Sequence, residues 1–412
     1  MNSNEIDNYL GMNHEASIRK AAETLKEVIK ETPLVYSDFY SEEYDCEVFI
    51  KPENLQRTGS FKLRGAYNKI HSLSEEELAR GIIAASAGNH AQGVAFSARE
   101  KNISSTIVMP NVTPLLKVDA TKAYGTKVLL HGDAYDDSYS KALALSQEQG
   151  ITFIHPFDDY DVICGQGTVG LEILEELPDV DEILVPIGGG GLISGIAIIA
   201  KAIKPDIKII GVVPMGATSM KISIEEGVIS RLAHVKTVAE GVAVKQPGEL
   251  TFAITKQYVD EIITVTEKDI MENILLAMEK HKFVVETAGV LPLAGLKKRA
   301  APGKKIVCIM SGGNIDTVTI SSIINQGMIS RGRIMDFSVE LPDRPGQLVQ
   351  IATLLAENGA NVIELEHNQF KALDRYSNKV ALEVTVETNG PEHIKIVLDA
   401  LEDAGFNITR IY

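Results

Sequence analysis

No tryptophan occurs among the 412 residues, and only three cysteines do. Cys46, Cys164 and Cys308 stand far apart with no CxxC pair, so neither a secreted disulfide framework nor a cysteine zinc site is available. No run of about 20 apolar residues could span a bilayer. The opening MNSNEIDNYL lacks the basic and apolar regions of a signal peptide, so a soluble, cytoplasmic chain is expected. Positive charge is also scarce. Forty Lys and Arg face 56 Asp and Glu, a net charge of −16 with no basic block, which argues against nucleic acid or an anionic membrane as partner. The nine histidines are scattered, with no HExxH or other metal-ligand spacing, and no GxSxG elbow marks a hydrolase.

What is present describes a globular protein of two or three domains, 45% hydrophobic and 23% charged. Residues 15–30 carry apolar side chains at helical spacing and run into Thr32-Pro33, which ends the helix. Short β-rich runs then alternate with helical ones: 48–50, 81–85, 103–109, 127–130, 151–154, 182–186, 208–213, 262–265 and 305–310 read as buried strands. Such alternation predicts an α/β fold with parallel sheets covered by helices on both faces. The grammar changes near Gly332. Strand 335–341, helix 347–357, strands 362–367 and 379–387, helix 391–404 and strand 407–411 spell βαββαβ, a ferredoxin-like α+β unit. The expected division is therefore 1–325, a linker at 326–332, and 333–412, with a smaller subdomain at roughly 54–150 inserted in the first part.

In open α/β sheets, ligands bind beyond the carboxyl ends of the strands. Four loops stand at such places. Ser60-Phe61-Lys62-Leu63-Arg64-Gly65-Ala66 offers a lysine, which taken alone is an ordinary surface residue. Ser86-Ala87-Gly88-Asn89-His90 joins a strand to a helix, and its small residues let amides approach an anion, although a plain turn would read the same. Gly188-Gly189-Gly190-Gly191-Leu192 exposes consecutive amides with no side chain in the way. It is neither a P-loop nor the dinucleotide fingerprint, and phosphate suits it better than a merely tight turn. Ser311-Gly312-Gly313-Asn314 again follows a strand directly and reads equally as a turn with a helix cap. The Asp158-Asp159 and Glu175-Glu176 pairs read as solvated faces or helix ends.

Taken together these residues have a family resemblance. Glu53-Asn54-Leu55-Gln56 leading into the lysine loop, the Ser-Ala-Gly-Asn-His loop, His155-Pro156-Phe157-Asp158-Asp159, Gly165-Gln166-Gly167-Thr168, the tetraglycine loop and Ser311-Gly312-Gly313-Asn314 occur in one order. That order resembles the threonine and serine dehydratases, fold-type II pyridoxal-phosphate enzymes, over residues 15 to 325. The tail, with Asp343-Arg344-Pro345-Gly346-Gln347-Leu348, resembles a single regulatory ACT domain, as in the shorter threonine ammonia-lyases.

The resemblance implies pyridoxal 5'-phosphate as cofactor and an amino acid as substrate. L-Threonine would give 2-oxobutanoate and ammonia, and L-serine would give pyruvate as a side reaction. By the same resemblance Lys62 would hold the cofactor as a Schiff base and then remove the Cα proton. Gly188, Gly189, Gly190, Gly191 and Leu192 would cradle the phosphate. Phe61 would pack on the pyridine ring, and Asn89 would bond its hydroxyl. Ser311 would face the ring nitrogen, where a neutral hydroxyl makes a weaker electron sink and favours elimination. Gly241 and Glu286 would lie near the cofactor, and Ser86, Ala87, Gly88, Asn89 and His90 would grip the substrate carboxylate.

Departures from the relatives matter as well. Ala87 replaces the serine that acts on the opposite face in serine racemase. Gly211-Val212-Val213-Pro214-Met215-Gly216 has no carboxylate for the divalent cation some relatives bind, so no metal is expected. The ACT tail implies a homo-oligomer, dimer or tetramer, with an amino-acid effector around 343–348 and 358–362. It leaves biosynthetic and catabolic roles open. Serine dehydratase or racemase chemistry is the rival within the family, and a non-catalytic amino-acid sensor is the rival outside it.

Overall fold

A computed structural model describes residues 3–342, 344–368 and 379–412. The chain divides into two compact units, Met1–Ile315 and Asp316–Tyr412.

The first unit is built on two sheets. The larger has six strands in the order Val35–Tyr36, Glu47–Pro52, Lys305–Met310, Glu182–Pro186, Lys208–Pro214 and Glu261–Val265. All neighbours are parallel except the first pair, where Val35–Tyr36 runs antiparallel at the edge. The strand Glu182–Pro186 is buried at every position, as a parallel strand covered on both faces must be. The smaller sheet is fully parallel, in the order Lys127–Leu130, Ser105–Met109, Ile82–Ala85 and Thr152–Phe153. Its first three strands lie in the stretch 54–150 and its fourth, Thr152–Phe153, just after it.

Apolar side chains such as Val185, Ile193, Ile196, Ile209 and Val307, all 0–1% exposed, fill the space between the large sheet and the helix Gly191–Ile203. Elements end where caps are available. The helix Glu75–Arg80 starts on a reciprocal Ser74–Glu77 capping box and stops at Gly81 with φ +86°.

The structure departs from the periodicity in three places. The first long helix is His14–Leu25, not 15–30, because the amides of both Val28 and Ile29 turn back to the Leu25 carbonyl. The periodic run 266–281 is α-helical only from Glu267 to Leu276, and Ala277–His281 widens into a π turn. The segment expected as a linker, 326–332, is mostly the end of a helix, Thr317–Ser330, capped by the Asp316 side chain.

The second unit adds to that helix the order Ile334–Pro342, Gln347–Glu357, Asn361–Asn368, Lys379–Glu387, Pro391–Asp403 and Ile408–Arg410. Its four strands pair antiparallel, with Ile334–Pro342 and Lys379–Glu387 central. Met335, Phe337, Val339 and Leu341 alternate into its core at 0–2% exposure. This is the expected ferredoxin-like α+β arrangement. Asp343, at the head of the expected effector loop, lies outside the described residues. No helix among the described residues is long and apolar enough to cross a membrane.

Candidate active site

The parallel strands point their carboxyl ends at one place. The strand Ile82–Ala85 delivers Ser86, Glu182–Pro186 delivers Gly188, and Lys305–Met310 delivers Ser311. Lys62 opens the helix Lys62–Ser72. Its loop is tied to the Ser311 loop by two backbone hydrogen bonds, Phe61 N to Ser311 O at 3.1 Å and Gly313 N to Gly59 O at 2.8 Å, which make an antiparallel bridge between Ser60 and Gly312. Gly59 has φ +72°, and a Cβ there would sit 2.3 Å from the Asn314 Oδ1, so only glycine lets the two loops close.

The Lys62 Nζ donates to the Pro156 carbonyl at 2.8 Å and lies 5.3 Å from the Phe61 ring centroid. Burial lowers its pKa to about 8, against the opposing charge of Glu286. At pH 7 about a tenth of such an amine is neutral, against well under 0.1% of an ordinary lysine. That fraction makes it usable as a nucleophile and base.

Asn89 begins the helix Asn89–Glu100. Its Nδ2 donates to Glu286 Oε1 at 2.7 Å, and its Oδ1 accepts from Asn314 Nδ2 at 2.8 Å, while Asn314 also donates to the Thr58 carbonyl at 2.7 Å. The amide of Asn89 is thus oriented with its oxygen occupied and one N–H left over. Glu286 is held by its own amide on the Gly312 carbonyl at 3.0 Å. Burial pushes its pKa up to about 7, with the Asn89 bond and the charges of Lys117 and Lys62 working the other way. Gly241 lies beside it, where a Cβ would be 3.6 Å from Glu286 Oε1, and the Gly241 carbonyl reaches Gly188.

The tetraglycine loop closes the floor. A Cβ on Gly189 would be 2.4 Å from the Phe157 ring, and on Gly190, with φ +98°, 2.6 Å from Met220 Cε. The amides of Gly188, Gly189, Gly190 and Gly191 take no acceptor among the described residues, and Gly191 starts the helix Gly191–Ile203. Free amides at a helix N-terminus form a phosphate cradle. With a buried amine across from it, the site fits pyridoxal phosphate.

The expected residues Phe61, Lys62, Asn89, Gly188 to Gly191, Gly241, Glu286 and Ser311 therefore meet in one cleft. His90 is placed differently from its loop neighbours. Its Nε2 binds the Ile154 carbonyl at 2.9 Å, the residue is 3% exposed, and burial lowers its pKa to about 3. It is neutral, its Nε2 is taken by that carbonyl, and its Nδ1 is buried with no partner among the described residues. Gly88 has open space on its Cβ side, and its amide is bound by Ser86 Oγ at 3.1 Å.

The sequence did not reveal the partners of several residues around the site. Lys117, on the helix Leu115–Lys122, reaches across to Glu240 at 3.0 Å. Asp158 accepts the amides of Glu249, Leu250 and Thr251, each at 3.0 Å, and so caps the helix Glu249–Tyr258 from a distance. Behind Lys62, Arg64 is fully buried and forks onto Glu53 at 2.7 and 2.8 Å, with Glu172 on its other side.

A family model described as pyridoxal-phosphate dependent enzyme matches residues 25–312. This chain belongs to that pyridoxal-phosphate dependent family. Within it the chain is 45% identical over 392 residues to an L-threonine ammonia-lyase of Thermotoga maritima, a match covering 95% of this chain and 98% of that protein. It is similar to the solved structure of processed threonine deaminase isoform 2 from Solanum lycopersicum, with TM-score 0.74 and 40% identity over 79% of this chain and 94% of that one. It is also similar to the structure of maize serine racemase, with TM-score 0.72 and 34% identity over 77% of this chain and 98% of that one. The family's cofactor is the one whose phosphate and carbonyl the cleft fits.

Proposed function

We propose that this chain catalyses the deaminating β-elimination of L-threonine to 2-oxobutanoate and ammonia, and of L-serine to pyruvate as the lesser reaction. The observation that carries the reading is the buried Lys62 amine, tuned to about 8 and set among the carboxyl ends of three strands. Support comes from the relatives named for threonine and from a match that runs through the second unit.

Pyridoxal phosphate, when bound, supplies the electron sink for the pair left behind when an amino acid loses its Cα proton. Lys62 would hold the cofactor and is the group to take that proton. A positioned base of this kind is worth about 10²–10⁴-fold in rate. Gly188 to Gly191, with Leu192, would receive the phosphate. Ser311 would face the ring nitrogen, and Phe61 would pack on the ring. Asn89, with its oxygen occupied by Asn314, can present only an N–H to a ligand oxygen. The backbone of Ser86 to His90 at the head of the helix Asn89–Glu100 would bind the substrate carboxylate. The Ala87 methyl cannot deliver a proton to the second face, which sets elimination above racemisation.

The second unit, by its fold and the tail's motif, would bind an amino-acid effector and pair with another copy. Its exposed Val362, Ile363 and Leu365 lie on the edge strand Asn361–Asn368.

The test is product analysis of the purified holoenzyme with L-threonine and L-serine, and with Lys62→Ala alongside. Rapid 2-oxobutanoate release that Lys62→Ala abolishes is the expected result. D-Serine accumulating from L-serine without 2-oxo acid would replace the reading by racemisation. No turnover of either substrate would favour a sensor.

A further inference from the structure

Gln166 is 1% exposed, yet neither its Nε2 nor its Oε1 has a hydrogen-bond partner among the described residues. Buried amides are nearly always paired, because an unpaired one loses its hydrogen bonds to water and gains none in return. An orphaned glutamine therefore calls for a ligand, and its surroundings say which.

The helix Tyr160–Glu176 that carries it is wedged between two others. A Cβ on Gly165 would strike the Arg64 carbonyl at 2.4 Å, and one on Gly167 would meet the Gly195 carbonyl at 2.8 Å. The Gln166 side chain lies in that seam. Its Cγ is 3.0 Å from the Cβ position of Gly65, in the helix that starts at Lys62, and its Oε1 is 2.8 Å from the Cβ position of Gly191. Its amide thus ends at the first residue of the helix Gly191–Ile203, where the glycine amides are also without acceptors. Two sets of unsatisfied groups meet at one spot. A half turn of the side-chain amide exchanges its oxygen and nitrogen ends without moving any other atom. Nε2 can then be the end that faces the cradle.

We propose that Gln166 is a phosphate ligand: its side-chain N–H donates to the cofactor phosphate alongside the backbone amides of the tetraglycine loop. The proposal rests on the cofactor site read above. Its chemistry explains why a neutral donor is buried here. The N–H satisfies a phosphate oxygen without introducing a second charge that would itself need desolvation when the cofactor is absent.

The experiment titrates the cofactor-free protein with pyridoxal 5'-phosphate and, separately, with pyridoxal, following the visible absorbance. Wild type is compared with Gln166→Met, which keeps the volume, and Gln166→Glu, which puts a carboxylate against the phosphate. Gln166→Met should weaken pyridoxal 5'-phosphate binding about tenfold to a hundredfold, the worth of one hydrogen bond to a charged group, and leave pyridoxal binding within about twofold. Gln166→Glu should weaken the phosphorylated form further. The melting temperature of the cofactor-free protein supplies the second readout. Removing an unpaired buried amide should leave it equal or higher in Gln166→Met. Unchanged affinity for the phosphorylated form, equal losses for both ligands, or a destabilised cofactor-free protein would each overturn the proposal. Failure of wild type to bind pyridoxal 5'-phosphate at all would instead fall on the site reading.

Discussion

Replacing Arg64 by methionine probes the support under Lys62. Arg64 and Glu53 are both fully buried, and the buried Lys51 with the partly exposed Glu172 and Glu176 completes the cluster. Lys51 reaches Glu172 at 2.7 Å and Glu176 at 3.4 Å, and Thr32 gives Glu53 one further bond at 2.6 Å. Arg64→Met therefore leaves the fully buried Glu53 carboxylate without its cation and, among the described residues, with a single hydroxyl partner. Breaking a buried ion pair from one side costs about 3–5 kcal/mol. Methionine returns little of that, since it fills the space but donates nothing.

The same logic makes a second prediction about the pair. Arg64→Met with Glu53→Met should lose clearly less than the sum of the two single losses, because no unpaired charge is left between them. With no tryptophan in the chain, urea unfolding is followed by circular dichroism on cofactor-free protein. For a slope of about 3 kcal/mol/M the single substitution should lower the midpoint by roughly 1–1.7 M. A loss under about 1 kcal/mol, or strict additivity in the double variant, would refute the claim that this cluster holds the Lys62 helix in place.

Other outcomes follow from the same geometry. Cofactor capture by the cofactor-free protein needs the neutral Lys62 amine, so its rate should rise from pH 7 and level off above about 9; stopped-flow absorbance reads it. Glu286 raises the Lys62 pKa, so Glu286→Gln should move that limb to lower pH, and an unmoved limb would contradict the coupling. Gly190→Ala places a Cβ at φ +98° and 2.6 Å from Met220 Cε; cofactor affinity, measured by equilibrium titration, should fall at least about tenfold. Glu182 is held below the ordinary carboxylate range because its bonds to Arg299 and Lys304 outweigh burial. A depressed carboxyl stabilises above its unfolded pKa and loses that as pH falls through the folded value. Wild type should therefore exceed Glu182→Gln in urea stability at pH 7, and the difference should shrink below about pH 4.

How far the sequence reached can be judged on particular residues. Strand–helix alternation carried the architecture because buried parallel strands such as Glu182–Pro186 are apolar at every position after the first. The edge strand Val35–Tyr36 escaped notice, since two residues have no period. Gly327 reads as a breaker, yet it is buried inside the helix Thr317–Ser330, where a glycine costs only about 1 kcal/mol. The tetraglycine loop was legible from its composition just beyond a strand, whereas Lys62 and Asn89 became candidates only through the ordered motifs that resemble a family. What stayed hidden depends on tertiary proximity. The Pro156 carbonyl that meets Lys62, the Asn314 amide that orients Asn89, and the missing partners of Gln166 have no local signature.

The most direct test of the central claim is where the cofactor attaches. Borohydride reduction of the holoenzyme followed by peptide mass mapping should place a single phosphopyridoxyl group on Lys62, and Lys62→Ala should carry none. A label on another lysine, or none on the wild type, would contradict the account.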